Sequence, residues 1–366
     1  MSRLRVLWVS RTRYRLPLSP SLARKWDALA QEVDVRVLAT GAKSDGHDER
    51  FELLAARTPA FYLSLPFSVA RELRSFRPDV VVAQSPYEAA AALTGRRLAR
   101  SRARVVLEVH GDWRTATRLY GSPLRRLLEP VSSLAARAAV RGADAVRTVS
   151  PFTSALVRGL GVEPTATFTT YSDISAFQQQ PPVPLPEQRQ VLFVGVLERY
   201  KNVHGLADAW RLAAPRVPEA TLHVVGSGRE HEVVAALARD LPAQVSWDER
   251  LPPEGVAAAL DAATVLALPS FSEGLPRVAM ESFARGRGVV GSRAGGIPDI
   301  VVDGENGLLV PAGDAPALAD ALVRVLTDAE LARRLADGAQ AAAVRWLQSP
   351  EEYARRMREL AERLVR

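Results

Sequence analysis

The sequence predicts an α/β protein made of two doubly wound parallel-sheet domains, and three observations support this. Short apolar runs alternate with helix-like segments, a pattern typical of parallel sheets covered by helices. The chain has 366 residues, which exceeds the usual size of one domain. The alternating pattern also starts again after Phe177–Arg189, a segment with four prolines and a run of three glutamines that suits an extended connection.

Each half of the chain supplies its own set of elements. The strands expected in the first half are Val6–Val9, Val35–Ala39, Val80–Ala83, Val105–Val109 and Ala145–Val149. The helices expected between them are Ser21–Glu32, Phe67–Ser75, Tyr87–Arg100 and Pro123–Val140. The strands expected in the second half are Val191–Val194, Thr221–Val225, Gln244–Ser246, Val265–Leu268, Gly288–Gly291 and Gly307–Val310. A long helical stretch follows, from about Pro316 to Val365. We therefore expect domains at residues 1–175 and 190–366 and a linker at 176–189, with the last helix a candidate to pack back on the first domain.

The charge is divided unevenly between the two halves. Residues 1–175 hold 27 Lys/Arg and 16 Asp/Glu, whereas residues 176–366 hold 21 and 25. An anionic partner is therefore expected for the first half. The chain has no cysteine, which excludes disulfides, a Cys-ligated zinc and a thiol nucleophile. Its five histidines are scattered, so we expect neither a metal site nor a bound cofactor.

We expect no targeting or membrane-spanning segment. The first apolar run is too short for a secretory signal, and no stretch of roughly 18 apolar residues follows. We expect a cytoplasmic protein that can contact the inner face of the membrane through its basic half. A solvated helix end is the simplest interpretation of Arg96, Arg97, Arg100, Arg102 and Arg104. If Arg118, Arg125 and Arg126 lie near them, these arginines could form a membrane-facing patch.

The most informative motif is Pro269–Gly296. Glu273 follows an apolar strand, and Glu281 comes eight residues later. Pro276 suits a first helical turn, which places Glu273 in the loop before a helix and Glu281 in its second turn. Two carboxylates could hold hydroxyls at both ends of an extended ligand, with phosphate on the helix N-terminus between them. That layout fits a nucleoside-diphosphate sugar, whereas two solvated glutamates on an amphipathic helix are the alternative. The residues expected around the phosphate are Gly274, Leu275, Pro276, Arg277 and Val278.

This segment resembles the signature of retaining glycosyltransferases of family 4, in which seven residues separate two glutamates. Gly296–Ile300 and Asp303–Pro311 also match, although the family usually has glutamate at the position of Asp299. The resemblance is specific from about Gln190 to Pro311 and mostly architectural over residues 1–175. It implies the glycosyltransferase-B fold, two Rossmann-like domains facing a central cleft. It also implies transfer of a hexose with retention and without a metal.

Basic residues follow the strand that ends near Gly195, and they could offset the charge of a leaving diphosphate. The resemblance implies that Lys201 takes the role of the family's lysine. Val196 stands where relatives carry arginine, so Arg199 is assigned that role with a shift of register. Strand-end glycines would allow the donor to approach the backbone closely, although turn geometry explains them equally well. These glycines are Gly195, Gly226 and Gly228.

His110 ends the fourth apolar strand, and the resemblance implies that it contacts the donor sugar or stabilises the transition state. A structural histidine is the alternative. The acceptor is expected near the loop after the first strand, where arginines replace the glycines of many relatives. Three arginines beside an aromatic ring suit an anionic acceptor, such as a lipid-linked phosphate or a uronic acid, but a charged solvent-facing loop would look the same. The acceptor-side candidates are Arg13, Tyr14, Arg15 and Asp112.

The sequence thus predicts a hexosyltransferase that uses a UDP- or GDP-linked sugar and a lipid-linked, polysaccharide or natural-product acceptor. The enzyme alternative is a sugar-nucleotide epimerase or sugar-phosphate synthase with the same two-domain fold. The non-enzyme alternative is a nucleic-acid-binding protein, suggested by an isoelectric point near 10.1. No nucleic acid partner is expected, because the positive charge is confined to one half and no recognition helix stands out. A dinucleotide-dependent dehydrogenase is disfavoured, since the first strand lacks a G-x-G-x-x-G loop.

Overall fold

The computed structural model consists of two compact units, each with its own parallel sheet. It describes residues 3–41, 46–55, 58–115, 119, 123–346 and 348–366. The first unit contains Met1–Tyr171 and Gln348–Arg366, and the second contains Ser172–Leu347. Helices cover both faces of each sheet, so the predicted fold class of two doubly wound α/β domains is confirmed.

The first unit is built on a sheet of seven strands within the described residues. The strands are β1 (Arg5–Tyr14), β2 (Asp34–Gly41), β3 (Phe51–Leu54), β4 (Val80–Ala83), β5 (Arg104–Val109), β6 (Ala145–Thr148) and β7 (Ala166–Thr167). The helices are α1 (Pro20–Glu32), α2 (Thr58–Ser75), α3 (Pro86–Ala99), α4 (Pro123–Gly142) and α5 (Pro151–Arg158). The strand order is β3-β2-β1-β4-β5-β6-β7. Alternate residues of β1 enter opposite cores: Trp8 packs with α1, and Leu7 packs with α2 and α3.

The second unit repeats this plan with six strands in the described part of the chain. The strands are β8 (Gln190–Val194), β9 (Thr221–Val225), β10 (Val245–Asp248), β11 (Val265–Leu268), β12 (Gly288–Ser292) and β13 (Gly307–Val310). The helices are α6 (Val203–Ala213), α7 (His231–Asp240), α8 (Pro253–Ala262), α9 (Arg277–Ala284), α10 (Ile297–Ile300), α11 (Ala315–Thr327) and α12 (Ala329–Ala343). The strand order is β10-β9-β8-β11-β12-β13, with every pair parallel.

The last helix, α13 (Pro350–Val365), belongs to the first unit. Tyr353, Met357 and Leu360 are buried in the same core as Trp8 and Trp26. At its far end, Arg104 Nε donates to the carbonyl of Leu364 at 3.2 Å. The core of the first unit is therefore assembled from both ends of the sequence.

The proline-rich segment at 176–189 is fastened to the second unit. Arg285 Nη1 donates to Gln180 O at 2.6 Å, and Arg287 Nη2 donates to Pro184 O at 3.1 Å. Both arginines are almost completely buried. The irregular backbone of this segment leaves carbonyls that the two guanidinium groups satisfy, and its role as the linker between the domains stays a prediction.

Candidate functional site

The carboxyl ends of β8 and β11 form the topological switch point of the second sheet. The chain proceeds outward from β8 through β9 to β10, and later from β11 through β12 to β13. Ligands of doubly wound sheets bind at such a point. Lys201 and Glu273, both predicted from the sequence, lie in the loops that follow these two strands.

Lys201 and Glu273 form a direct ion pair. Lys201 Nζ donates to Glu273 Oε1 at 2.6 Å, and Ser270 Oγ donates to the same oxygen at 2.9 Å. The side chains of Lys201 and Glu273 are only 11% and 12% exposed, so water screens the pair weakly. Within the described residues Oε2 of Glu273 accepts no hydrogen bond, which leaves one oxygen for a ligand.

Backbone contacts hold the lysine and glutamate loops together. The amide of Phe271 donates to Tyr200 O at 2.7 Å, and Asn202 Nδ2 donates to Pro269 O at 3.2 Å. Asn202 has a φ of 55° and accepts from the Gly205 amide at 3.1 Å, which caps α6. The position of Lys201 is therefore fixed by the start of a helix as well as by its ion pair.

Gly295 and Gly296 support the Glu273 loop from the other side. Gly295 has a φ of 55°, and a Cβ added there would lie 2.6 Å from the backbone nitrogen of Glu273. The amide of Gly296 donates to Glu273 O at 2.9 Å, and a Cβ at Gly296 would overlap the carbonyl of Gly274. Sequence reasoning missed this role, although adjacent glycines after a strand are a signal for close backbone approach.

Glu281 lies in the second turn of α9, which begins at Arg277 directly after Pro276. Arg277 Nε donates to Glu281 Oε1 at 2.7 Å, and Arg277 Nη2 donates to Asp173 O at 2.8 Å. Burial raises the pKa of Glu281, and the positive charges of Arg277 and Lys201 partly offset that effect. Among the described residues, its Oε2 has no donor. Glu273 and Glu281 thus each accept a hydrogen bond from a cationic side chain with Oε1, and Oε2 is available to a ligand.

The start of α9 lies between these two carboxylates in sequence. The N–H groups of Arg277 and Val278 are in its first turn and have no acceptor within the helix. Gly274 and Leu275 precede them in the loop that carries Glu273. An anion at this end would meet the N–H groups of Arg277 and Val278 and the positive end of the helix dipole.

The three predicted strand-end glycines allow the loops after β8 and β9 to pack closely against each other. The amide of Gly195 donates to Val225 O at 3.0 Å, and a Cβ at Gly226 would overlap the carbonyl of Gly195. A Cβ at Gly228 would likewise overlap the backbone of Leu197. Contact of these glycines with a donor stays a prediction.

Arg199 is more exposed than Lys201. Its Nε lies 3.6 Å from Glu230 Oε1, and the side chain is 66% exposed. Val196 is also exposed, at 48%. The role of Arg199 beside a diphosphate therefore stays a prediction, and it would require the guanidinium to leave Glu230 or to share it.

In the first unit, His110 directly follows β5. Its Nε2 lies 3.3 Å from Glu108 Oε2. Two residues further on, Asp112 accepts from Arg114 Nε at 2.8 Å and from Arg114 Nη2 at 3.1 Å. Asp112 is therefore part of a local ion pair, and its contact with an acceptor stays a prediction.

Tyr14 was expected in an acceptor-side loop, and this expectation is wrong. The strand β1 continues through Tyr14, whose ring centroid lies 5.1 Å from that of Phe51 and 6.1 Å from that of Trp26. Burial raises the pKa of Tyr14 to about 12. Arg13 at the end of the strand and Arg15 just beyond it are both exposed. Only the arginines of this segment remain candidates.

Of the arginines predicted for a membrane-facing patch, Arg118 lies outside the described residues, as do the side chains of Arg125 and Arg126.

Two families match successive parts of the chain. Residues 19–170 match a family described as "Glycosyl transferase 4-like domain". Residues 176–342 match the family "Glycosyl transferases group 1". Together the two matches span most of the sequence, and the second covers every donor-side residue named above.

Over the regions that align, curated relatives are identical to this chain at about a third of the positions. The D-inositol 3-phosphate glycosyltransferase of Corynebacterium efficiens is 35% identical over 165 residues, 43% of this chain and 39% of that protein. The lipopolysaccharide core biosynthesis glycosyltransferase LpsE of Rhizobium meliloti is 33% identical over 152 residues, 40% of this chain and 42% of that protein. The matches therefore span about two fifths of the length of these relatives.

Solved structures match over nearly the full chain at lower identity. The sucrose-phosphate synthase of Thermosynechococcus elongatus superposes with a TM-score of 0.78 at 22% identity, covering 99% of both chains. Anabaena HepE in complex with UDP superposes with a TM-score of 0.73 at 18% identity, covering 98% of this chain and 100% of that one. These likenesses show the fold.

Proposed function

Because this chain belongs to the group 1 glycosyltransferases, we propose that it moves a hexose from a nucleoside-diphosphate sugar to a hydroxyl acceptor. The proposal includes retention of the anomeric configuration and independence from metal ions. UDP and GDP are the proposed nucleotides, and the likeness to HepE in complex with UDP favours UDP.

The observation that carries the proposal is the pair of glutamates flanking a helix N-terminus at the switch point. Glu281 would hold the ribose hydroxyls with its free Oε2, and Glu273 would hold hydroxyls of the sugar in the same way. Lys201, Arg199 and the first N–H groups of α9 would take the diphosphate charge. No separate cation is then required, because the charge is offset by side chains and backbone donors.

The proposed reaction breaks the bond between the sugar's anomeric carbon and the diphosphate oxygen. A new bond forms from the acceptor oxygen to the same carbon on the same face. The acceptor's proton passes to the departing phosphate, so the products are the glycoside and the nucleoside diphosphate. His110 is proposed to assist transfer by hydrogen bonding to a substrate hydroxyl.

For the acceptor we propose an anionic or lipid-linked hydroxyl compound. The positive charge of residues 1–175 supports an anionic acceptor, as do the exposed Arg13 and Arg15. We also propose peripheral contact with the cytoplasmic side of a membrane. Leu63 and Phe67 on α2, which are 75% and 68% exposed, support contact with a membrane surface. No helix among the described residues is long and apolar enough to cross a bilayer.

A thermal-shift panel of nucleoside diphosphates and their sugars tests the donor proposal. A donor present at 100 times its dissociation constant should stabilise the protein by about 2.7 kcal/mol. We expect Glu281→Ala to abolish this shift, and Arg216→Ala to keep it, since Arg216 forms an exposed ion pair with Asp320. The proposal fails if no nucleotide sugar stabilises the wild type, or if Glu281→Ala responds as the wild type does. Turnover that disappears with EDTA and returns with Mg²⁺ would contradict metal independence.

A further inference from the structure

Four side chains of the first unit form a closed ring of polar contacts that includes His110. Arg147 Nη1 donates to Glu108 Oε1 at 2.5 Å, and Arg147 Nη2 donates to Thr170 Oγ1 at 3.2 Å. The ring closes at the imidazole of His110. Its Nδ1 lies 3.4 Å from Thr170 Oγ1, and its Nε2 lies 3.3 Å from Glu108 Oε2.

One side of the ring is buried, and the other side, at His110, is partly exposed. Glu108 and Arg147 are fully buried, whereas the His110 side chain is 34% exposed. Burial alone would raise the pKa of Glu108, but Arg147, His110 and Lys25 together hold it well below its usual range. Arg147 is fixed in turn by donation to Phe168 O at 2.8 Å. Glu108 is therefore an ionised carboxylate that can only accept hydrogen bonds.

Other titratable groups also face this ring. They are Lys25 on α1, Tyr353 on α13 and Tyr14 on β1. Burial lowers the pKa of Lys25 to about 8 and raises the pKa of both tyrosines. The ring thus has one anion, Glu108, and one cation, Arg147, and Lys25 beside it adds a second buried cation at neutral pH.

The donor and acceptor roles around the ring follow from these charges. Since Glu108 only accepts, His110 Nε2 must carry a proton. Arg147 occupies one lone pair of the Thr170 hydroxyl, whose proton is then directed to Nδ1. We propose that Glu108 and Thr170 are positioning residues that hold His110 as the Nε2–H tautomer, with Nδ1 as the atom that accepts from a substrate hydroxyl. The substrate hydroxyl would replace that of Thr170. The inference depends on the proposed function only in taking the ligand to be a hydroxyl of the sugar or acceptor.

Nitrogen-15 NMR of the histidine side chains tests the tautomer without any substrate. The chain has five histidines, and the spectrum of His110→Gln identifies the His110 signals by subtraction. In spectra recorded with the His110 ring in its neutral form, we expect the proton on Nε2 in the wild type. Glu108→Gln should give mixed tautomers, because an amide both accepts and donates. Protonation of Nδ1 in the wild type, or an unchanged tautomer in folded Glu108→Gln, would overturn the proposal.

Kinetics supply a second reading. We expect Glu108→Gln to lower kcat by about 10- to 100-fold with an unchanged KM for the donor, the range found for groups that orient metal-bound histidines. If Glu108→Gln does not fold, Thr170→Val and Thr170→Ser replace it. Thr170→Val should shift the Nδ1 resonance of His110, and Thr170→Ser should return it to the wild-type position. An unchanged Nδ1 resonance in Thr170→Val would contradict the proposal. Tautomer changes in a protein that transfers no sugar would support the positioning role and contradict the proposed function.

Discussion

Lys201 Nζ lies 2.6 Å from Glu273 Oε1, so the cation and one of the carboxylates of the donor-side site satisfy each other. The pair fixes the positions of both side chains, and its opposite charges nearly cancel. A diphosphate arriving at the N-terminus of α9 would compete with Glu273 for the lysine. Glu273 Oε1 would then keep Ser270 as its donor and could accept a second hydrogen bond, in addition to Oε2, from the hydroxyls of the sugar.

We expect Lys201→Met to weaken binding of the nucleotide sugar by at least about tenfold and to destabilise the fold by about 3 kcal/mol. The destabilisation arises because removing one partner of a poorly solvated pair leaves the other unpaired. Isothermal titration and urea unfolding measure the two effects. In Lys201→Met/Glu273→Gln, stability should largely return while binding does not. Equal losses of stability in the single and double variants would contradict this account.

The raised pKa of Glu281 has a consequence for stability. Its folded pKa lies above the unfolded value, so ionisation costs free energy in the fold. Below the pKa of Glu281 in the unfolded chain, this cost is absent. It develops as the pH rises from the unfolded pKa to the folded pKa, and it persists at higher pH. We therefore expect Glu281→Gln to raise the melting temperature at pH 7 more than at about pH 4. The same variant should lose affinity for the nucleotide sugar. A melting temperature lowered at pH 7 would show that the Arg277 pair outweighs burial.

Gly295 and Gly304 provide a matched test of the glycine beside Glu273. Their φ angles are 55° and 81°, but a Cβ at Gly304 meets nothing within 4 Å, whereas one at Gly295 meets the Glu273 backbone. Gly304→Ala should cost about 1–2 kcal/mol from backbone strain alone. Gly295→Ala should cost more and should also weaken donor binding, because the Glu273 loop must move. Equal stability and unchanged donor binding in the two variants would show that the loop accommodates the methyl group.

The last helix should contribute strongly to the first unit. Leu360 is buried beside Met357 in the core of that unit, so Leu360→Ala is expected to cost about 2–5 kcal/mol. Val344 is 71% exposed, and Val344→Ala serves as the control with an expected change below about 0.5 kcal/mol. Urea unfolding followed by tryptophan fluorescence measures both. A Leu360→Ala variant as stable as the control would show that the helix is not part of this core.

Much of the fold could be predicted because buried parallel strands are continuous apolar runs. The bounds of β4 and β11 match their predicted ranges. In contrast, β3 and β7 were missed. Both are edge strands: β7 has only two residues, and Glu52 interrupts the apolar run of β3. Tyr14 was misplaced because its arginine neighbours indicated a loop, whereas β1 continues with outward arginines and an inward tyrosine.

The donor-side residues lie in a compact motif, which is why the sequence could indicate them. Their partners could not be predicted, since the contact of Lys201 with Glu273 joins residues 72 positions apart. The ring around His110 depends equally on tertiary structure, because Arg147 and Thr170 lie on other segments. Composition alone also gave no sign that Arg285 and Arg287 would be buried against the proline-rich segment.

The placement of α13 in the first unit has a consequence for synthesis on the ribosome. The second unit is continuous in sequence, whereas the first is interrupted by Ser172–Leu347. At roughly 5–20 residues per second, translating that insertion takes roughly 10–35 s. During this time the nascent first unit lacks Tyr353, Met357 and Leu360, and the apolar surface beside Trp8 and Trp26 is uncovered. A chaperone that binds apolar surface would therefore meet this chain most often at that stage.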